Sequence, residues 1–212
     1  MPATFDAVIF DLDGTLIDTE SLALAASMQA FASLGVLVED TFLHSLVGID
    51  DATSGQTIQA RYPDLDLPRL QDLMQTEFFR RIDEGLMLKP GARDLLARLS
   101  QPLAIATSST RPSALRKLAR IGMQDTFAHV ITRDDVIRPK PAPDPFLLAA
   151  ARLGVDPRRC VAFEDSETGA EAAHAAGMCV VQVPDFLPTQ GRFAHHVAVD
   201  LIAGARAAGL LA

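Results

Sequence analysis

The sequence predicts an α/β fold: a Rossmann-like, doubly wound parallel sheet core with an inserted α-helical cap domain. Three observations lead there. Short apolar runs alternate with helical patterns over most of the chain, as they do where helices cover a parallel sheet. A stretch of about 70 residues breaks that alternation, showing helical periodicity and no convincing strand. Four predicted strands end in carboxylates, hydroxyls or a lysine, at the sheet edge where open α/β sheets bind ligands.

The first strand is Ala7–Phe10, and "DLDGT" follows it at once. The helical stretch comes next. Thr19–Leu34 sets Leu22, Ala25, Ala26 and Leu34 near one face, with Gly35 as a stop. Asp40–Val47 and Leu67–Arg81 read as further helices, joined by the Pro-rich connector "RYPDLDLPRL". Residues 17–86 are therefore expected to form a cap over the C-terminal edge of the sheet. Residues 1–16 and 87–212 should form the core. The remaining strands are Leu103–Ala106, His129–Thr132, Val161–Phe163, Cys179–Val183 and a weaker His196–Val199. Between them, Pro112–Ile121 has Pro at its start and Gly122 beyond its end. Asp144 is the expected N-cap of a helix that Pro145 opens and Gly154 closes, and Glu167–Ala176 ends at Gly177.

Nearly half of the 212 residues are apolar, enough for a sizeable core. A net charge of −8 argues against a nucleic-acid partner, which calls for a basic face. No apolar run approaches the roughly 20 residues of a membrane helix, and the N-terminus lacks a secretory pattern. Cys160 and Cys179 flank apolar runs at a spacing that fits no metal or redox motif, and read as reduced core thiols. A cytoplasmic monomer acting on a small molecule is the expectation.

The strand ends carry the chemistry. In an extended segment residues two apart face the same side, so Asp11 and Asp13 converge while Gly14 permits a tight turn. Two such charges about 4 Å apart repel by several kcal/mol at an effective dielectric of about 20. A calcium loop of the helix–loop–helix kind also contains D-x-D-G, but it needs Glu where Leu22 stands, and here a strand precedes Asp11. "ATSSTRP" offers Thr107, Ser108 and Ser109 ahead of a helix N-terminus, a good place for an anion. "RPKPAPDPF" fixes Lys140 among Pro139, Pro141 and Pro143. "FEDSETG" adds Glu164 and Asp165, which need a cation unless Asp165 merely caps the next helix. This inventory suits phosphoryl transfer, where a protein supplies position and charge neutralisation, and Asp11 and Asp165 can share Mg²⁺.

In this order and context, "DLDGTLIDTE", "ATSS", "KPAPDPF" and "FEDSETG" resemble the haloacid dehalogenase-like superfamily. The branch most similar comprises phosphatases and β-phosphoglucomutase-like phosphomutases with a helical cap. The resemblance implies that Asp11 is a nucleophile forming an aspartyl-phosphate and also binds Mg²⁺. It implies that Asp13 is the general acid/base, with its backbone carbonyl on the metal. Thr107, Ser108 and Lys140 then bind phosphate, Asp165 is a metal ligand, and Glu164 is a direct or water-mediated metal ligand.

Dehalogenases of the superfamily lack the aspartate two residues after the nucleophile, so Asp13 speaks against that chemistry. Phosphonate-cleaving relatives need a cap lysine, and the predicted cap has none; Lys89 and Lys117 lie outside it. Phosphomutase relatives carry a histidine where Ala23 stands, and a cap lysine too. The expected function is a Mg²⁺-dependent phosphatase for a small sugar or polyol phosphomonoester, with a sugar phosphomutase as the alternative. Tyr and Trp total one, so stacking on nucleobases is thinly supplied. "LVGIDDATSG" resembles a cap specificity loop, which makes Gly48, Asp50, Asp51 and Thr53 candidate substrate contacts. Arg80 and Arg81 are candidates for a second anionic group. His195 and His196 read as a strand-edge pair.

Overall fold

The computed structural model describes residues 5–47, 49 and 51–211, with Asp51 described for its backbone alone. Six parallel strands form one sheet: β1 (Ala7–Phe10), β2 (Leu103–Ala106), β3 (His129–Ile131), β4 (Cys160–Glu164), β5 (Cys179–Gln182) and β6 (His196–Val197). Their spatial order is β3-β2-β1-β4-β5-β6. The chain thus builds outward from β1 in one direction, then returns to β1's other side for β4. That reversal leaves a crevice outside the carboxyl ends of β1 and β4.

Every residue of β1, β2 and β4 is buried, which is why these strands, up to Glu164 at the end of β4, read as apolar runs and not as alternating ones. On one face Ala7, Ile9, Ala104, Ala106 and Ala162 pack with Phe146, Ala149 and Ala150 of helix α7 (Asp144–Leu153) and Ala170, Ala172 and Ala173 of α8 (Glu167–Ala175). The small strand residues let these helices approach closely. Toward the other face, Phe10 stacks on Phe163 at 4.9 Å between ring centres and meets the edge of Phe127 at 6.5 Å.

The chain divides into two compact units, Met1–Asp18 with Met87–Ala212, and Thr19–Leu86. The first boundary falls two residues later than expected. Ile17 forms backbone bridges with Asp13 and Leu88, and the Asp18 N–H donates to the Met87 carbonyl, which ties both residues to the sheet-bearing unit. The helical unit holds α1 (Glu20–Ser33), α2 (Asp40–His44), α3 (Asp51–Arg61) and α4 (Leu67–Gly85) around Ala30, Phe31, Leu43, Ile58 and Leu70. Asp66 caps α4 by accepting from the Arg69 N–H at 3.0 Å.

The stretch Leu46–Gly55, expected as a specificity loop, runs into helix α3. From Asp51 onward the segment is helical, and Gly55 is buried with Leu67 Cδ2 3.4 Å from where its Cβ would sit. Gly55 is therefore a helix-packing residue. Helix α5 (Ala92–Arg98) and α9 (Leu201–Ala207) have no counterpart among the expected elements; at seven residues each they are under two turns, too short for helical periodicity to show. Helix α6 (Arg111–Arg120) follows β2. Among the described residues, no helix is long and apolar enough to cross a membrane.

The register pairs Val161 with Cys179, so Cys160 and Cys179 lie on opposite faces of the sheet. Both are free thiols, and burial pushes Cys160 up to about 11. His195 closes the edge of β5: its N–H donates to the Val180 carbonyl at 2.8 Å, and its Nδ1 accepts the Val180 N–H at 3.0 Å.

Candidate active site

Strand register assembles the centre. Phe10 pairs with Phe163, so the next residues, Asp11 and Glu164, are neighbours although most of the chain separates them. The Asp11 N–H donates to the Phe163 carbonyl at 2.9 Å, which fixes where its side chain starts. Asp11 is 6% exposed and Glu164 fully buried.

The turn after β1 delivers the third carboxylate's support. Gly14 takes φ +81°, and a Cβ there would lie 2.5 Å from Asp165 Oδ2. Any side chain would be strained by the backbone and would collide with Asp165. Thr15 Oγ1 donates to Asp165 Oδ1 at 3.2 Å. Asp165 does not cap α8: the cap is Ser166, whose Oγ accepts the Gly169 N–H at 3.1 Å.

Lys140 is the hub. Its side chain is 4% exposed, and its Nζ donates to Asp11 Oδ1 at 2.6 Å and to Glu164 Oε1 at 2.5 Å, with the Phe146 ring centre 5.0 Å away. Burial alone would lower its pKa, but the two carboxylates outweigh that and raise it, so the ammonium is held charged. Ser166 completes the clamp by donating from Oγ to Glu164 Oε2 at 3.1 Å. Gly169 leaves the room: its Cβ would fall 1.9 to 2.1 Å from the Glu164 carboxylate.

Asp11, Glu164 and Asp165 each place a carboxylate oxygen within 4.8 Å of the others. Burial, with Glu164 and Asp13 adding to it, pushes Asp11 up to about 8 although Lys140 pulls it down. Asp165 is likewise raised by burial and then by Glu164 and Asp11, with Lys140 and Thr15 opposing. Three carboxyl groups share one lysine in a poorly hydrated place, which is why Asp11 and Asp165 hold their protons. Oxygen donors under this strain fit a divalent cation.

A stability experiment follows from the signs. The folded metal-free protein holds protons on Asp11 and Asp165 more tightly than the unfolded chain does. Their favourable contribution is complete below the ordinary carboxylate pKa and is lost as pH rises toward about 8. Carboxyls lowered by arginine or hydroxyl partners, such as Asp6, Asp156 and Glu167, change only at lower pH, and His195 acts in the opposite sense. The Tm of chelator-treated wild type, measured between pH 5 and 8, should therefore fall more steeply than that of Asp11→Asn. An added divalent cation should raise the wild-type Tm more at pH 8 than at pH 5. Equal slopes for the two proteins would contradict this origin.

Thr107, buried at the end of β2, accepts the Ser109 N–H on Oγ1 at 3.1 Å, while Ser108 is exposed. Asp13 faces neither Asp165 nor Lys140 through a hydrogen bond; Lys117 Nζ donates to its Oδ1 at 2.6 Å and Ser109 Oγ to its Oδ2 at 2.7 Å. Of the cap candidates, Gly48 and Asp50 lie outside the described residues. Asp51 opens α3, and Thr53 is exposed on that helix, its carbonyl accepting the Thr57 hydroxyl at 2.9 Å. Arg80 is ion-paired with Glu77 and Glu84, and Arg81 with Glu77, so both are engaged within α4. Lys117, Ser109 as a partner of Asp13, and Gly169 as the room for Glu164 escaped the sequence reading. The signal for Lys117 was a charge on the buried stripe of α6 beside Ala114 and Leu118.

A profile described as haloacid dehalogenase-like hydrolase matches residues 5–177. The chain is 35% identical to the fructose-1-phosphate phosphatase YqaB of Escherichia coli strain K12, over 84% of this chain and 96% of that one. It is 33% identical to a phosphorylated carbohydrates phosphatase of Thermotoga maritima, over 82% of each. A crystal structure of a HAD family hydrolase from Deinococcus radiodurans R1, with bound phosphate and sodium, superposes with a TM-score of 0.83 at 29% identity, covering 99% of this chain and 98% of that one. The motifs, the sheet and these matches agree, and the chain belongs to the haloacid dehalogenase-like hydrolase family.

Proposed function

We propose that this phosphoric monoester hydrolase is a Mg²⁺-dependent phosphatase that acts on a small sugar or polyol phosphate through an aspartyl-phosphate on Asp11. The observation that carries the reading is Asp11 itself: buried, crowded by Glu164 and Asp165, and bonded to Lys140 at 2.6 Å. Nothing about fold stability calls for such a cluster.

Asp11 and Asp165, with the Asp13 backbone carbonyl, would hold the metal. Glu164, whose oxygens already serve Lys140 and Ser166, would reach it through water. When bound, Mg²⁺ offsets the repulsion between a carboxylate and a phosphate dianion. Lys140 holds Asp11 Oδ1, which leaves the other oxygen to attack phosphorus in line. Lys140, the Thr107 hydroxyl and the loop at Ser108 orient the phosphoryl oxygens. Asp13 gives its proton to the departing alkoxide. The resulting Asp13 carboxylate then takes a proton from water as that water attacks the acyl phosphate, releasing inorganic phosphate and restoring Asp11.

The two relatives named above act on fructose 1-phosphate and on phosphorylated carbohydrates by their names, which supports a sugar or polyol ester here. The helical unit, proposed as the specificity element, has no lysine, and its Arg80 and Arg81 are tied to Glu77 and Glu84. A substrate with one phosphate and an uncharged body matches that supply of charge. Cytoplasmic location and a monomeric state belong to the same proposal. Phosphate release from a panel of sugar, polyol and nucleoside monophosphates, with and without Mg²⁺, tests it. Metal-dependent release greatest with hexose or hexitol esters is expected. Conversion of a sugar 1-phosphate to its isomer, with no phosphate released, would overturn it.

A further inference from the structure

We infer that Lys117 is a positioning residue for the proton-transfer step, holding the Asp13 carboxylate in its working orientation with Ser109 as the third corner of a closed triangle. This rests on the role proposed above for Asp13.

The triangle is complete on all sides. Lys117 Nζ lies 2.6 Å from Asp13 Oδ1 and 2.9 Å from Ser109 Oγ, and Ser109 Oγ lies 2.7 Å from Asp13 Oδ2. Both oxygens of a side chain that is otherwise one-quarter exposed are thereby fixed. A carboxylate at the mouth of a site would ordinarily sample several rotamers. Proton transfer needs the catalytic oxygen within hydrogen-bond reach of the attacking water or the leaving group, so restricting those rotamers bears directly on rate.

Lys117 is an unusual choice for its place. It stands on the buried stripe of α6 between Ala114 and Leu118, and its side chain is 4% exposed. An ammonium there is unfavourable unless it is paired, and packing alone would be met by Leu or Met. Helical side chains lean toward the N-terminus of their helix, so the long stem at this position reaches back toward the end of β2, where Ser109 and Asp13 lie. Ser109 is anchored in turn, its carbonyl accepting the Arg133 N–H at 3.2 Å. The chain has three lysines and sixteen arginines, and two of those lysines meet Asp11 and Asp13. A compact point charge suits one carboxylate oxygen where a planar guanidinium would span both.

The test is a double-mutant cycle with the panel's best alkyl phosphate. Lys117→Met keeps the stem and removes the charge. The expected result is a kcat lower by about 10- to 100-fold, a loss typical of removing a group that orients a catalytic one, with KM within about twofold. In an Asp13→Asn background the same change should cost nothing further, because the group it positions is gone. Equal losses in both backgrounds, or an unchanged kcat in Lys117→Met, would overturn the inference. Should Lys117→Met fail to fold, Ser109→Ala opens the same triangle and must show the same non-additivity; an additive loss overturns the inference as well. Wild type that releases no phosphate from any monoester would refute the proposed function instead, which keeps the two failures apart.

Discussion

Asp11→Asn is expected to lower kcat by about 10⁴ or more, the scale on which removal of a covalent nucleophile is felt. The amide has nearly the shape of the carboxyl group but cannot form the acyl phosphate. The same change should leave Tm unchanged or higher. Asp11 is a buried carboxylate raised to about 8 by burial and by its acidic neighbours, so the folded metal-free protein gains nothing from its charge at neutral pH. Activity lost without stability is the pattern that separates a chemical role from a structural one. A variant retaining a tenth of wild-type activity would be inconsistent with attack by Asp11.

Gly169→Ala is expected to be severely damaging for so small a substitution. Helix propensity alone would favour alanine by about 1 kcal/mol in the first turn of α8. The added methyl would, however, stand 1.9 to 2.1 Å from the Glu164 carboxylate, which Lys140 and Ser166 hold in place with its side chain 1% exposed. Glu164 has to leave, and Lys140 loses its ion pair with that carboxylate. A stability loss on the order of 1–3 kcal/mol follows from the broken buried pair. At least about 10² is lost from kcat, because a displaced Lys140 no longer sets Asp11 against phosphorus. Thermal melts and steady-state kinetics on one preparation would read both. A neutral or stabilising outcome would mean that Glu164 has room elsewhere.

The strands at the centre of the sheet were legible because both their faces are covered, so β1, β2 and β4 show as apolar runs bounded by polar residues. Their register was not. That Asp11 lies beside Glu164 follows from the pairing of Phe10 with Phe163, a contact between distant segments that no local pattern encodes. Helix α3 was hidden for a different reason. "DDATSG" is rich in residues that favour turns and caps, while the helix it enters packs through Gly55 against Leu67 and places Ile58 among the core residues of the helical unit. Lys117 was missed because a charge in a helix reads as a solvated face unless its position on the apolar stripe is counted. The carboxylates, Thr107 and Lys140 could be picked out as candidates because strand ends concentrate function and proline-flanked lysine is locally constrained. Which cation serves which aspartate needed three dimensions.

The most direct measurement is chemical trapping of the intermediate. Enzyme quenched in acid during turnover with Mg²⁺, then reduced with borohydride and digested, should show the acyl phosphate as a reduced side chain at position 11 and nowhere else. Asp11→Asn treated in the same way should show none. Modification at another residue, or turnover with position 11 unmodified at every quench time, would contradict covalent catalysis by Asp11.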